Sequence, residues 1–410
     1  MPKSPPSLLL LPPPPSPLTP ASISAAYRPP ITATASALKD LSTSTELLVV
    51  LPCPSLHGRL RTPRPQIYSE VQQLLGKSYS LICIVCAELG IDVESDTPGS
   101  IDARVLLLDY DGSQSFSTNH EFTIDSFVSG PIIDLPTFAL TRRRWNLIFS
   151  VDDEEGQKLL ASYSNLANQH GPPLQGHVHI VRGGASMIQK DPGALQMPPD
   201  SSTSHHVVIV AGTFDHIHAG HKLLLSATAL LLQPASLTSP VPLRLIVGIT
   251  GDELLKNKKY AEYLKSWKQR QEDVIDFLLS ILLFTRSSVN EAVHTVSFDD
   301  PTPNGKAVHT QLKASCLTIE CVEIQDPFGP TITDEDITAL VVSAETRLGG
   351  QAVNDKRSEM GWKTLELFEI DVLDAQESTE GPSKTDDFAS KISSTAIRKR
   401  KAESGRRSSL

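Results

Sequence analysis

The sequence predicts an α/β protein: a doubly wound parallel sheet with a smaller α/β domain before it. Three observations carry this expectation. Short apolar runs of strand length alternate with helical stretches from about Leu47 onward. A polar stretch rich in Pro and Ser, Gln189–His206, divides that alternation into two blocks. At Val207–His221, one apolar strand runs straight into a turn bearing glycine and histidine that opens an apolar helix.

The elements follow in chain order. The first thirty residues hold 11 of the 31 prolines, with Pro12–Pro15 directly after a run of four leucines. Proline lacks an N–H and breaks both helix and ladder, so residues 1–40 are expected to form a disordered leader. The Leu8–Leu11 patch is too short for a signal-peptide core, and Lys3 and Arg28 are too few basic residues for a transit peptide. Residues 41–188 read as an α/β domain of unassigned role. Its strands are expected at Leu47–Leu51, Leu81–Ala87, Val105–Leu108 and Trp145–Ser150, and its helices at Glu70–Leu75 and Gln157–Gln169. Gly183-Gly184 reads as loop punctuation.

Residues 189–206 are the expected linker, and residues 207–401 the second domain. Strands are expected there at Val207–Val210, Leu243–Thr250, Leu317–Glu323, Ala339–Ser343 and Leu365–Val372. Helices are expected at His221–Leu232, Lys268–Phe284 and around Gln351–Gly361, the second marked by Val274, Phe277/Leu278 and Ile281/Leu282 at helical spacing. A module so delimited is expected to fold alone from about Ser201. The end, Ile397–Leu410, carries six basic residues against Glu403, and residues 402–410 read as a solvated basic tail.

Composition narrows the function. With 37 basic and 47 acidic residues the net charge is −10, which does not suggest a nucleic-acid binder. No apolar stretch reaches the roughly 18–20 residues of a membrane span. Five cysteines without framework spacing point to free thiols in a reducing compartment, read as the cytoplasm, with nuclear access through the basic tail left open. Cys83 and Cys86, like Cys316 and Cys321, are expected to be buried structural residues.

The chemistry lies in Val207–His221. Ligands of an open α/β sheet bind outside the carboxyl ends of the strands, where this turn lies. Gly212 and Gly220 let phosphates approach the backbone, and the helix start offers free N–H groups and a positive dipole end. His218 and His221 are three apart, so both can face one phosphate; the spacing does not suit a zinc pair, and no metal site is expected. Further on, Ser393, Ser394 and Thr395 precede Ala396-Ile397 as a helix cap, with Arg398 one turn later in reach of a phosphate.

Gly212-Thr-Phe-Asp-His-Ile-His-Ala-Gly-His221 resembles the G-T-F-D-x-x-H-x-G-H motif of the nucleotidyltransferase superfamily, a Rossmann-like fold. Lys391-Ile-Ser-Ser-Thr-Ala-Ile-Arg398 resembles its later flexible loop. Between them stand Gly251–Lys259, Asp326–Thr331 and Val341–Gly350, followed by Asn354 and Arg357. The combination is similar to the pantetheine-phosphate adenylyltransferase module of the coenzyme A synthase type, over roughly Val207–Lys401. Ala211 departs from the glycine found in many relatives.

The resemblance implies transfer of AMP from ATP to 4′-phosphopantetheine, giving dephospho-coenzyme A and pyrophosphate. By the family pattern His221 is catalytic and His218 supports it. ATP would meet Gly212, Thr213, Phe214, Gly349, Gly350, Arg357, Ser393, Ser394, Thr395 and Arg398, while Thr213 and Lys258 or Lys259 would meet the acceptor. Mg²⁺ is expected on the ATP phosphates, and association with other enzymes of coenzyme A biosynthesis is left open. A cytidylyltransferase for a phosphorylated alcohol shares the histidine turn, and a nucleotide-binding scaffold is the alternative of another class. No G-x-x-x-x-G-K-[ST] run occurs, so dephospho-coenzyme A kinase activity is not expected.

Overall fold

The computed structural model describes residues 4–41, 43–93, 98–113, 130–169, 172–185, 204–233, 241–302, 305–371, 373 and 393–407. The first domain comprises β1 (Ser7–Leu10), α1 (Pro20–Lys39), β2 (Thr45–Pro52), α2 (Pro65–Glu88), β3 (Ile101–Asp109), β4 (Ile132–Asp134), α3 (Leu135–Thr141), β5 (Arg144–Val151), α4 (Glu154–Gln169) and β6 (Gln175–Val181). Its six strands pair in parallel in the order β4-β3-β2-β1-β5-β6.

Here the structure overturns the expected disordered leader. Leu8, Leu9 and Leu10 form the central strand and are fully buried, so the apolar run that is too short for a signal peptide is the right length for a two-faced parallel strand. The prolines that condemn the segment by composition fall beside its elements. Pro12–Pro15 make the connection after β1, and Pro20 takes the first helical position, where a missing N–H costs nothing. Pro29 and Pro30 do lie inside α1. A second correction concerns Leu81–Ala87, which is the last part of the 24-residue helix α2 and not a strand. That helix is buried nearly all round over this stretch, which erases the amphipathic period that distinguishes helix from strand. Cys83 and Cys86 are buried within it, and burial pushes the Cys86 thiol up to about 12.

The second domain comprises β7 (Val207–Gly212), α5 (Ala219–Leu231), β8 (Leu243–Thr250), α6 (Trp267–Leu282), α7 (Val289–Ala292), β9 (Val293–Thr302), β10 (Gly305–Leu312), β11 (Leu317–Ile324), β12 (Ala339–Ser343), α8 (Arg347–Glu359), β13 (Glu366–Ile370) and α9 (Ser394–Arg407). Its sheet runs β13-β12-β7-β8-β11-β10-β9, parallel from β13 to β11, with β9 and β10 added as an antiparallel hairpin that the sequence reading lacks. Cys321 is buried on β11, whereas Cys316 is exposed at a left-handed position before it, against expectation. Of the expected linker, residues 189–203 lie outside the described residues. His205 is buried and bonded to Thr338, so the end of that stretch belongs to the domain. Residues 402–407 of the expected tail continue α9, and 408–410 lie outside the described residues. No described helix is long and apolar enough to cross a membrane.

The two domains share one hydrophobic cluster, which includes Leu74 and Leu75 of α2 together with Leu223 and Leu230 of α5. Gly76 of α2 faces Leu223 of α5, whose side chain would stand in ordinary contact, 3.5 Å, with a Cβ placed there. Tyr68 meets Phe368 with ring centroids 5.0 Å apart, and Arg142 donates to the carbonyls of Ser280 (2.9 Å) and Leu283 (3.2 Å). Cutting between the domains would expose this face, which counts against the expectation of an independently folding module. A fragment beginning at Ser204 is expected to be insoluble or to melt without cooperativity, while the full chain melts as a folded protein. A soluble fragment with a sharp thermal transition by circular dichroism would contradict this.

Candidate active site at the histidine turn

β7 delivers the chain at the carboxyl edge of its sheet, and the six residues from Thr213 to His218 turn it into α5. Phe214 and His216 both adopt left-handed backbone conformations, φ 50° and 48°. Such conformations are unfavourable for these side chains and persist only where the surroundings over-determine them. Here they do. The Phe214 ring is fully buried against Gly212, where a Cβ would come within 3.2 Å of it, and lies 5.3 Å from the His221 ring. His216 hydrogen-bonds the Tyr263 carbonyl through Nε2 (3.0 Å).

Asp215, fully buried between them, is the anchor. Its carboxylate accepts from the Arg398 guanidinium (2.6 Å) and from the Lys265 N–H (3.1 Å), and its carbonyl accepts from the Ser394 hydroxyl (2.8 Å). From the other side, the fully buried Arg270 donates to the carbonyls of Thr213 (2.6 Å), Thr250 (2.8 Å) and Lys265 (3.1 Å), and to the Asp252 carboxylate (2.6 Å). Neither Asp215 nor Arg270 is singled out by the sequence reading. Arg270 does leave a trace there: it precedes Val274, Phe277 and Ile281 at helical spacing, a charged residue on the apolar stripe of α6.

At the end of the turn His218 occupies the N-cap of α5, and its side chain makes no capping bond. Its ring stacks on His221 with centroids 3.9 Å apart and planes 26° apart. Gly220 makes room for this, since a Cβ there would lie 3.2 Å from the His218 ring. The Nδ1 atoms of both imidazoles are buried without a hydrogen-bond partner. Burial pushes His221 down to about 4, offset in part by the Asp215 carboxylate; His218 is held well below the ordinary histidine range by burial and then by His221 and Lys222. Both rings are therefore neutral at pH 7. They stand with unused polar atoms beside a helix N-terminus whose N–H groups carry no side-chain cap, an arrangement that binds anions.

The pH dependence has a definite sign. A folded-state value below the unfolded 6.5 means that the unfolded chain binds more protons between about pH 6.5 and 4, so these histidines destabilise the fold as pH falls through that window and leave it unaffected above. Replacing His221 with alanine removes its share. The melting temperature of the variant relative to the parent is therefore expected to rise from pH 7 to pH 5, as scanning fluorimetry can follow; a constant difference would remove His221 from the buried neutral pair.

Thr213 is partly exposed on the turn, and Gly212 ends β7. Ser393 caps α9 through the Ala396 N–H (3.3 Å), and the Thr395 hydroxyl accepts from Arg398 (3.2 Å). Lys391 and Ile392 of the loop resemblance lie outside the described residues. Lys258 and Lys259 are exposed after β8, and the Lys259 carbonyl accepts from Arg398 (3.1 Å). Arg398 is thus brought to the turn, but as a buried clamp, not the free phosphate arm expected of it. Arg357 departs further. It is buried and spends its guanidinium on the carbonyls of Thr331, Asp334, Glu335, Ile337 and Lys363, with Trp362 beneath it, so it cannot serve as the expected nucleotide contact. Gly350 packs against Val342 and Leu367, whereas Gly349 faces open space in the first turn of α8.

Comparison with known proteins adds two family matches. Residues 209–400 match a family described as cytidylyltransferase-like, and residues 1–187 match a domain of unknown function. An uncharacterized protein of Schizosaccharomyces pombe is 31% identical over 63% of this chain and 66% of its own length. A phosphopantetheine adenylyltransferase of Saccharomyces cerevisiae is 33% identical over 49% of this chain and 50% of its own. One of Pyrococcus abyssi is 29% identical over 47% of this chain and 87% of its own. The chain thus spans about two thirds and one half of the two yeast relatives.

Proposed function

We propose that this chain, whose residues 209–400 form a cytidylyltransferase-like nucleotidyltransferase domain, transfers AMP from ATP to 4′-phosphopantetheine, releasing pyrophosphate and forming dephospho-coenzyme A. The observation that carries the reading is the stacked His218/His221 pair, with unpartnered Nδ1 atoms at an uncapped helix start. The relatives named phosphopantetheine adenylyltransferase support the choice of acceptor.

In this reading the ATP phosphates lie against the start of α5 and the backbone of Gly212 and Thr213. An acceptor phosphate oxygen forms a bond to the α-phosphorus as the bond to the β-phosphate oxygen breaks, and pyrophosphate leaves with the electron pair. The chain supplies no nucleophile. It orients the reactants and stabilises charge, with His221 donating to a non-bridging α-phosphate oxygen and His218 to the neighbouring phosphate. Lys258 or Lys259 offers its ammonium to the acceptor phosphate. The turn offers phosphate donors, not hard-cation ligands: two imidazoles, a hydroxyl and N–H groups, with the Asp215 and Asp252 carboxylates already engaged by arginines. That suits a magnesium ion carried in by ATP and held by phosphate oxygens and water, where it would neutralise charge on the phosphates.

The test measures pyrophosphate release by the full chain with ATP or CTP against a panel of phosphorylated acceptors. Release with ATP and 4′-phosphopantetheine is expected. Product only from CTP with a phosphorylated alcohol would replace the reading with the cytidylyltransferase one, and nucleotide binding without turnover would favour a scaffold.

A further inference from the structure

We infer that Asp102 of the first domain is a positioning residue for the histidine turn, acting through Lys222, so that holding the site in place is a function of the first domain; the inference rests on the roles of His218 and His221 proposed above. Lys222 directly follows His221, and its N–H closes the first hydrogen bond of α5 onto the His218 carbonyl (2.9 Å). Its side chain leaves the site and is buried at the domain interface, 3% exposed. There the ammonium pairs with the Asp102 carboxylate and donates to the Ala103 carbonyl (2.9 Å). Asp102 is fixed in turn by Arg104, which donates to it through Nη2 (2.7 Å) and Nε (3.2 Å) and reaches Asp276 of α6 (2.6 Å) and Glu46 of β2 (3.3 Å). Charges of alternating sign thus run from the neighbour of His221 through β3 to a second helix of the same domain.

This arrangement is not simple adhesion. A lysine in the first turn opposes the helix dipole, and a buried ammonium is tolerated only when paired. Apolar contact, as between Gly76 and Leu223 one residue on, would glue the domains without either cost. What the pair adds is direction. A cleft of about 500 Å³, lined in part by Ile217, Lys222, Asp102, Arg104 and Asp276, runs beside the turn. Packing leaves that flank open, and the Lys222–Asp102 pair forms part of its wall.

The test uses the full chain with Asp102→Asn, Asp102→Glu and Lys222→Met. Removing the hydrogen-bonding partner behind a metal-binding side chain typically costs about 10–100-fold in activity, and a strut behind a catalytic turn is expected to matter on the same order. A fall of that size in kcat is expected for Asp102→Asn and Lys222→Met, with KM for ATP nearly unchanged and most of the rate recovered in Asp102→Glu. Should Asp102→Asn fail to fold, Lys222→Met decides, because it removes the buried ammonium and leaves Asp102 paired with Arg104. A second readout needs no turnover: NMR titration of the imidazoles. His218 faces His221, His216 and Lys222, and His221 faces His216 and Asp215, so Lys222→Met raises the His218 midpoint by loss of charge alone, whereas Asp102→Asn keeps that ammonium and should shift the midpoints only if the pair moves. Wild-type kcat in both folded variants, or unchanged imidazole titrations in Asp102→Asn, would overturn the inference. An inactive parent chain would instead overturn the proposed function, with the titration still deciding this one.

Discussion

Replacing His221 with alanine is expected to lower kcat by about 10²–10³, or roughly 2.7–4 kcal/mol of transition-state stabilisation, the usual loss when one preorganised donor is removed. The neutral imidazole is positioned before ATP arrives, clasped between His218 at 3.9 Å and Phe214 at 5.3 Å, so it pays no reorganisation during the reaction. Charge on the α-phosphate oxygens shifts only as the five-coordinate transition state forms, and a donor aimed there acts mainly then. ATP affinity should change little, because the α5 N-terminus and the turn backbone remain. His218→Ala should fall in the same direction by less, since it removes the stacking support and a ground-state phosphate contact. Steady-state kinetics with ATP-binding calorimetry on both variants separates these terms. A normal kcat in His221→Ala would make the residue structural.

The largest stability effect is expected at Asp215. Asp215→Ala leaves the Arg398 guanidinium, 3% exposed, without its partner, and breaking a buried pair in this way costs about 3–5 kcal/mol. At roughly 2–4 °C per kcal/mol for a domain of this size, the melting temperature should drop by about 6–20 °C. The double variant Asp215→Ala/Arg398→Met removes the orphaned charge and should recover a large part of that loss. It should not recover kcat, because the left-handed backbone at Phe214 and His216 then loses its clamp. Equal melting temperatures for Asp215→Ala and the parent would show that Arg398 finds water or another acceptor.

What the sequence makes legible and what it hides follow one physical line. The histidine turn is readable because its function is local: strand, glycines, imidazoles and helix start lie within fifteen consecutive residues. The parallel strands of the second domain are readable because two-faced burial demands continuous apolar runs. The antiparallel hairpin β9–β10 is missed because its residues are mostly polar, with Val296 and Phe298 exposed. The residues that hold the turn are hidden for a different reason. Asp215, Arg270 and Arg398 draw their meaning from partners up to 183 positions away, and of the three only Arg270, a charge on the apolar stripe of α6, is marked by its own neighbourhood. Arg357 shows the converse error, a residue placed at the nucleotide by the family resemblance and claimed by carbonyls in the fold. At β1 a compositional rule, sound for the average of thirty residues, fails because three consecutive leucines inside that average, Leu8–Leu10, are enough to make a strand.

The connection after β1 decides what the first domain can bind. Strand order reverses between β1 and β5, and that crevice is where a sheet of this type ordinarily takes a nucleotide, on backbone N–H groups of the first loop and the start of the first helix. In this chain the loop opens with Pro12–Pro15, four residues with no hydrogen to donate. At the helix start Pro20 offers none, and the Ser22 N–H is already given to the Thr19 hydroxyl (3.1 Å). A phosphate arriving there would meet pyrrolidine rings. Among the described residues the crevice at the histidine turn is thus better equipped to hold an anion than the one beside β1, and a titration with ATP should saturate at one nucleotide per chain.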